Sequence, residues 1–136
     1  MIETFNTGET AQELKEKYNP DGSILRKCQL RMLDMLIYLT GVCGRLQIDY
    51  CLESGNILGA LRHGGFIPWD DDLDLMLLRA DYEKLIQLCE KGRLGNKYEF
   101  NYPNKKNGSC LPFMKIYRKN SLLVESFNEC EAFPTG

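Results

Sequence analysis

The chain has 136 residues, 43% of them hydrophobic and 26% charged, which is the composition of one globular domain or most of one and excludes a disordered chain. Its 17 Lys and Arg against 19 Asp and Glu leave a net charge of -2, so no global field draws it to nucleic acid or to an anionic membrane. A polyanionic partner has to be met by a local patch.

Thr10 reads as the N-cap of a short helix, Ala11 to Tyr18, with Glu13 three residues on to complete a capping box. Asn19-Pro20-Asp21-Gly22 reads as a turn. Ser23 then caps a longer helix to about Val42, whose Leu25, Cys28, Met32, Met35, Leu36 and Leu39 recur at helical spacing, and Gly41 and Gly44 mark its expected end. Leu46, Ile48, Tyr50 and Leu52 alternate with polar residues, as a half-buried strand does. After Ser54-Gly55, residues Asn56 to His63 form a short helix stopped by Gly64-Gly65. Phe66-Ile67-Pro68-Trp69 is an extended or looped link, because Pro68 disfavours helix before it. Asp72 to Leu77 alternates again and is expected as a strand. Arg79 to Lys91 is helical, with Tyr82, Leu85, Ile86 and Cys89 on one face and Gly92 and Gly95 after it. Tyr98 to Tyr102, Phe113 to Arg118 and Leu122 to Glu125 are strand candidates, with Asn104 to Ser109 a polar loop and Lys119-Asn120 a tight turn. The expected architecture is α/β (α+β), a small mixed sheet flanked by helices. An arm, residues 1–22, precedes the domain, residues 23–136, whose end at Gly136 reads as incomplete.

No apolar stretch approaches a membrane span, and Met1 to Thr10 lack a basic region followed by an apolar run. The expected location is therefore the cytoplasm. None of the six cysteines forms a Cys-x-x-Cys pair and His63, the only histidine, stands apart from them, which speaks against zinc. With no mark of export, reduced thiols are expected rather than disulfides.

The informative segment is Asp70-Asp71-Asp72-Leu73-Asp74-Leu75. Side chains two apart on a strand share a face, so Asp72 and Asp74 project together while Leu73, Leu75 and Leu77 face a core, with Asp70 joining them if the chain is extended there. Two unit charges ~7 Å apart at an effective dielectric of ~20 repel by about 2.4 kcal/mol. A divalent cation reverses the sign of that term, and hard oxygen ligands suit Mg²⁺ or Mn²⁺. A solvated acidic turn is the competing reading. An EF-hand loop fails, because Leu75 stands where that loop needs Gly and Asp81 where it needs Glu. Ser54-Gly55 is either an ordinary strand-to-helix connection or a phosphate cradle of backbone N–H groups, to which Arg62, His63 and Arg79 could add positive charge, with a structural or exposed role the favoured reading for His63 alone. Trp69 packs the loop or offers a stacking platform. Neither a Walker A lysine pattern nor a dinucleotide glycine fingerprint is present.

The string SGNILGALRHGGFIPWDDDLDLML, residues 54–77, resembles the LicD family of phosphocholine transferase-like proteins, which includes the fukutin-related proteins. The resemblance implies a nucleotidyltransferase-like fold, in which a Gly-Ser-type turn ends one strand and an Asp-x-Asp pair on the next binds Mg²⁺ or Mn²⁺. By position the catalytic pair is Asp72 and Asp74, with Asp70 as a further metal ligand. Ser54 and Gly55 fill the turn, and Asn56 stands where members carry Thr or Ser; Ser54, Gly55, Asn56, Arg62 and His63 are the implied phosphate and nucleotide contacts. The implied activity is transfer of phosphocholine, or a related phospho-group, from CDP-choline or a similar nucleotide donor to a cell-envelope glycan such as lipopolysaccharide or teichoic acid, in the cytoplasm or at the inner face of the membrane. No nucleic acid partner is implied. The family's third carboxylate lies on a later segment resembling Ile-Asp-Ile-Phe-Pro, which would start just past Gly136. The chain is thus expected to lack that ligand, and the alternative is a truncated or non-catalytic nucleotide- and metal-binding module of the same fold.

Overall fold

A computed structural model of the chain describes residues 8–103 and 111–121. In chain order these hold α1 (Ala11–Tyr18), α2 (Ile24–Leu46), β1 (Cys51–Leu52), α3 (Ser54–His63), β2 (Leu75–Met76), α4 (Arg79–Glu90), β3 (Tyr98–Asn101) and β4 (Lys115–Arg118). The fold is mixed α+β. The chain forms two compact units, Met1–Tyr82 and Glu83–Gly136, with the boundary inside α4.

In the first unit, the Thr10 hydroxyl accepts from the Glu13 N–H and the Glu13 carboxylate accepts from the Thr10 N–H, so the capping box forms as the sequence predicts. Asn19 ends α1, donating its N–H to the Lys15 carbonyl at 2.8 Å. Ser23 caps α2, its hydroxyl accepting from the Arg26 N–H at 3.1 Å. The second helix does not stop near Val42. It runs through Gly41 and Gly44 to Leu46, because Leu39, Val42 and Cys43 lie on its buried face. Each glycine costs a helix about 1 kcal/mol, less than the roughly 1.5–3 kcal/mol gained by burying one large apolar side chain. The end comes at Gln47, which turns left-handed at φ 52°; both Gln47 and Ile48 donate to the Cys43 carbonyl.

That overrun corrects the first expected strand. Leu46 is helical and Gln47 and Ile48 are its cap, so only Cys51 and Leu52 remain extended enough to pair. The second expected strand, Asp72 to Leu77, is likewise reduced to Leu75–Met76. The two pair antiparallel, Cys51 opposite Met76 and Leu52 opposite Leu75. The side-chain alternation over 72–77 survives this shortening: Leu73, Leu75 and Leu77 are half-buried while Asp72, Asp74 and Met76 are exposed.

In the second unit, β3 and β4 pair antiparallel from Tyr98 opposite Arg118 to Asn101 opposite Lys115, and Leu85, Leu94, Tyr98 and Tyr102 are among its buried apolar residues. Phe113 and Met114 were expected in the strand but stay outside it. Continuing the ladder would set Phe113 against Pro103, which has no N–H to give. Among the described residues there are thus two small antiparallel sheets in place of one mixed sheet. The expected loop Asn104 to Ser109 and strand Leu122 to Glu125 lie outside the described residues. No helix among the described residues is long and apolar enough to cross a membrane.

Cys28, Cys43, Cys51 and Cys89 are all free thiols. Burial pushes the Cys89 thiol up to about 12. Burial, then the charge of Asp81, also raises Cys43. Cys28 and Cys51 are exposed. Among these four, timed alkylation at pH 8 followed by peptide mass mapping should therefore label Cys28 and Cys51 before Cys43 and Cys89.

Candidate functional site

Ser54 sits at φ 48°, a left-handed conformation that costs a non-glycine residue about 1 kcal/mol or more, and it bends the chain sharply from β1 into α3. The Asn56 N–H closes this bend on the Glu53 carbonyl at 3.0 Å. Glu53 gives the helix no side-chain cap, so the first turn keeps donors for an anion. At the other end Gly64, at φ 66°, turns the chain back along α3.

The returning loop lies close against α3 because two glycines one turn apart leave room for it. A Cβ at Gly59 would fall 2.5 Å from the Gly65 carbonyl oxygen and 3.0 Å from the Ile67 nitrogen. A Cβ at Gly55 would fall 3.0 Å from Asp70 Oδ2. The space the sequence suggests for a phosphate beside Gly55 is thus, on this side, the space that admits the Asp70 carboxylate.

Two buried amides hold the loop. Gln29, 1% exposed, donates from Nε2 toward the carbonyls of Ile67 at 3.0 Å, Pro68 at 3.3 Å and Asp70 at 2.8 Å. Its Oε1 accepts from Asn19 Nδ2 at 3.0 Å and from Arg26 Nη1 at 3.1 Å. Asn56, 6% exposed, donates to the Asp72 carbonyl at 3.2 Å and accepts from the Asp74 N–H at 2.6 Å. This amide occupies the backbone groups of 72 and 74 that a partner strand would otherwise pair, which is why the strand begins only at Leu75. The Asp74 carbonyl accepts from the Glu53 N–H at 3.1 Å.

Held this way, Asp70, Asp71 and Asp72 each present a carboxylate oxygen within 4.8 Å of the others. At that separation and a dielectric of ~20, each charged pair repels by about 3.5 kcal/mol, and by about 1 kcal/mol in bulk water. Asp72 is subject both to partial burial and to this repulsion. Partial desolvation, then the charge of Asp70 and a hydrogen bond with it, then the charge of Asp71, raise its pKa above the ordinary carboxylate value, although the residue as a whole stays exposed. Asp70 Oδ2 is buried and has no hydrogen-bond partner among the described residues. An unpartnered buried carboxylate oxygen beside two more carboxylates fits a divalent cation. Mg²⁺ with octahedral oxygen ligands at about 2.0–2.1 Å sets neighbouring oxygens about 2.9 Å apart, so the three carboxylates would have to draw together on binding, by up to about 2 Å for the widest pair.

Of the residues singled out from sequence, Asp70 and Asp72 come together, and Asp71 joins them. Asp74 is not in that group; it shares the exposed face with Asp72, two residues on. Ser54, Gly55 and Asn56 lie at the N-terminal end of α3. Arg62 and His63 lie in its last turn, about 12 Å further along the axis. His63 faces Trp69, ring centroids 6.3 Å apart, and the half-exposed Trp69 makes an edge contact with Tyr18 at 5.3 Å. Arg79 lies over the Tyr82 ring at 5.6 Å.

Gln29 escaped the sequence reading. Its signal was a polar residue between Leu25 and Met32 on the apolar stripe of α2. Asn19, equally buried at 1%, was read only as part of a turn; its carboxamide oxygen accepts from the Ser23 hydroxyl while its nitrogen serves Gln29.

A family model described as the LicD/FKTN/FKRP nucleotidyltransferase domain matches residues 47–131. The lipopolysaccharide cholinephosphotransferase LicD of Haemophilus influenzae is 44% identical over 64 residues, 47% of this chain and 24% of that protein. The ribitol 5-phosphate transferase FKRP of Mus musculus is 40% identical over 72 residues, 52% of this chain and 15% of that protein. An uncharacterized Rickettsia prowazekii protein is 35% identical over 81 residues, 57% of this chain and 30% of its own length. The chain therefore spans less than a third of these relatives. No solved structure matches it.

Two outcomes are expected. Gly59→Ala should lower stability by about 1–3 kcal/mol in urea unfolding, because its Cβ meets backbone that must shift; Gly55→Ala should cost less, because it meets the end of a side chain. For Asp72, the folded state holds its proton to higher pH than the unfolded chain, so its contribution to stability falls as pH rises through that window. In chelator, Asp72→Asn should therefore gain about 0.5 kcal/mol at pH 7, the scale of one solvent-screened charge pair, and the gain should vanish near pH 3. Comparing variant with parent at each pH removes the opposite trend from Glu13 and Asp21, whose pKa values are lowered.

Proposed function

The chain belongs to the LicD/FKTN/FKRP nucleotidyltransferase-domain family, and on that premise we propose that it forms the metal- and donor-binding part of a phospho-group transferase. The observation that carries this reading is the convergence of Asp70, Asp71 and Asp72 beside the open first turn of α3, with one buried carboxylate oxygen lacking a partner.

Asp70 and Asp72, with Asp71, would hold Mg²⁺ or Mn²⁺. When bound, such an ion offsets the carboxylate repulsion and neutralises charge on the donor's phosphates. Asp74 keeps its carboxylate on the exposed face beside Asp72 and is the fourth acid available to the reacting groups. The backbone N–H groups at Ser54 and Gly55, with the positive end of the α3 dipole, bind an oxygen of the donor phosphate. Asn56 acts from behind, fixing the backbone at Asp72 and Asp74. Arg62 and His63, at the far end of α3, are placed for a more distant part of the donor or acceptor. The donor we propose is a CDP-activated alcohol such as CDP-choline, and the acceptor a hydroxyl of a cell-envelope glycan. Attack of that hydroxyl on the distal phosphorus releases CMP and leaves the phospho-group on the glycan.

The test is CMP release from CDP-choline in the presence of glycan acceptor and Mg²⁺ or Mn²⁺. Activity should disappear with EDTA and fall at least 100-fold in Asp72→Asn and in Asp74→Asn. In parallel, Mn²⁺ should raise the melting temperature of the parent and not of an Asp70→Asn, Asp72→Asn variant. A metal response without turnover would favour the non-catalytic module. Absence of both turnover and a metal response would overturn the proposal.

A further inference from the structure

Three carbonyls, those of Ile67, Pro68 and Asp70, converge on the one carboxamide nitrogen of Gln29, a residue of α2 that precedes them by 38 to 41 positions in sequence. Two hydrogens shared among three acceptors draw these peptide planes to one side. The Asp70 side chain then leaves on the other side, toward Gly55. The orientation of the Gln29 amide is itself fixed: its oxygen faces two donors, Asn19 Nδ2 and Arg26 Nη1, so its nitrogen has to face the loop. A flipped amide would set an oxygen against three carbonyls and an NH₂ against two donors. Asn19 is in turn oriented by the Ser23 hydroxyl, which donates to its oxygen. The chain of contacts runs from the α1–α2 turn to the acidic loop without a gap.

We propose that Gln29 is a positioning residue for divalent-cation binding at Asp70, Asp71 and Asp72, and that Asn19 sets the direction of its amide. This rests on the metal reading of that cluster. Gln29 touches neither the ion nor the donor; it keeps three mutually repelling carboxylates converged before the ion arrives. Loss of a group that orients metal ligands from behind typically weakens metal binding 10–100-fold.

The probe is Mn²⁺, followed by EPR of the free ion at 10 °C. The parent should bind, and Asp72→Asn should not. Gln29→Met, which keeps the length of the side chain and removes its polar groups, should bind at least tenfold more weakly while its circular dichroism shows it folded. Val42→Ala, a truncation in the α2 core, serves as the control for lost stability and should keep the parent's affinity although its melting temperature falls. If Gln29→Met does not fold at 10 °C, Asn19→Ala replaces it, and a three- to tenfold loss is expected there. Parent-like affinity in the folded variant, or an equal loss in Val42→Ala, would overturn the positioning role and leave the metal reading standing. No Mn²⁺ binding by the parent would overturn both.

Discussion

The acidic loop exists in its observed form because two side-chain amides are buried against its backbone. Gln29 collects three of its carbonyls and Asn56 one carbonyl and one N–H. Each such bond contributes about 1 kcal/mol net, and the pairwise repulsion among three carboxylates within 4.8 Å lies between about 1 and 3.5 kcal/mol. The two sums are of the same order. The loop is therefore held against its own charge, not by a large surplus: removing Gln29 takes a donor from three carbonyls and removing Asn56 takes one from the Asp72 carbonyl, while the repulsion stays. Buried Gln and Asn are uncommon in cores unless their groups are satisfied. Here both termini of each amide are used.

The same loop depends on what α3 lacks. Gly55 and Gly59, four apart, stand on one face of the helix, and the segment returning from Gly64 passes over both. Backbone occupies the place of one missing Cβ and the Asp70 carboxylate borders the other. Two physical demands therefore meet on a single helix: its start offers N–H donors and a positive dipole end, and its glycine face lets an acid approach within van der Waals range of the same turn. A negative side chain near a helix N-terminus is stabilised by typically 0.3–1 kcal/mol, which offsets part of the cost of leaving Asp70 Oδ2 without a partner.

The helices were legible because their signals are local. Thr10 with Glu13, and Ser23, are caps that work as their spacing suggests, and the burial of α2 follows the apolar period except at Cys28, which is exposed. Its end was not legible, since Gly41 and Gly44 read as a stop while the reason to continue, burial of Val42 and Cys43, is tertiary. The strands were half legible. The alternation from Asp72 to Leu77 predicted which side chains face inward, and they do, but it could not reveal that a side-chain amide from α3 would take the place of a strand over 72–74. The carboxylate cluster was visible as a run of acids. Its membership was not: a strand would pair Asp72 with Asp74, whereas a loop pinned at its carbonyls brings consecutive residues 70, 71 and 72 together. The contribution of Gln29 shows in sequence only as one polar residue on an apolar stripe.

Asn56 shows how a departure from a motif can be read physically. The family resemblance sets Thr or Ser at this position, a hydroxyl one atom shorter than a carboxamide. A hydroxyl can donate and accept through a single oxygen; the carboxamide separates the two functions by about 2.2 Å and so reaches a carbonyl and an N–H two residues apart on an extended segment. In this chain those are the Asp72 carbonyl and the Asp74 N–H. With its Oδ1 and one Nδ2 hydrogen committed there, and 6% of its surface exposed, Asn56 serves the shape of the acid-bearing backbone. In the function we propose, recognition of an anion would fall to the N–H groups of Ser54 and Gly55, whose geometry does not depend on which polar side chain follows them. Backbone donors at the start of α3 and acids held by buried amides would then divide the work of the proposed site, and neither task requires a strong net charge from the protein as a whole.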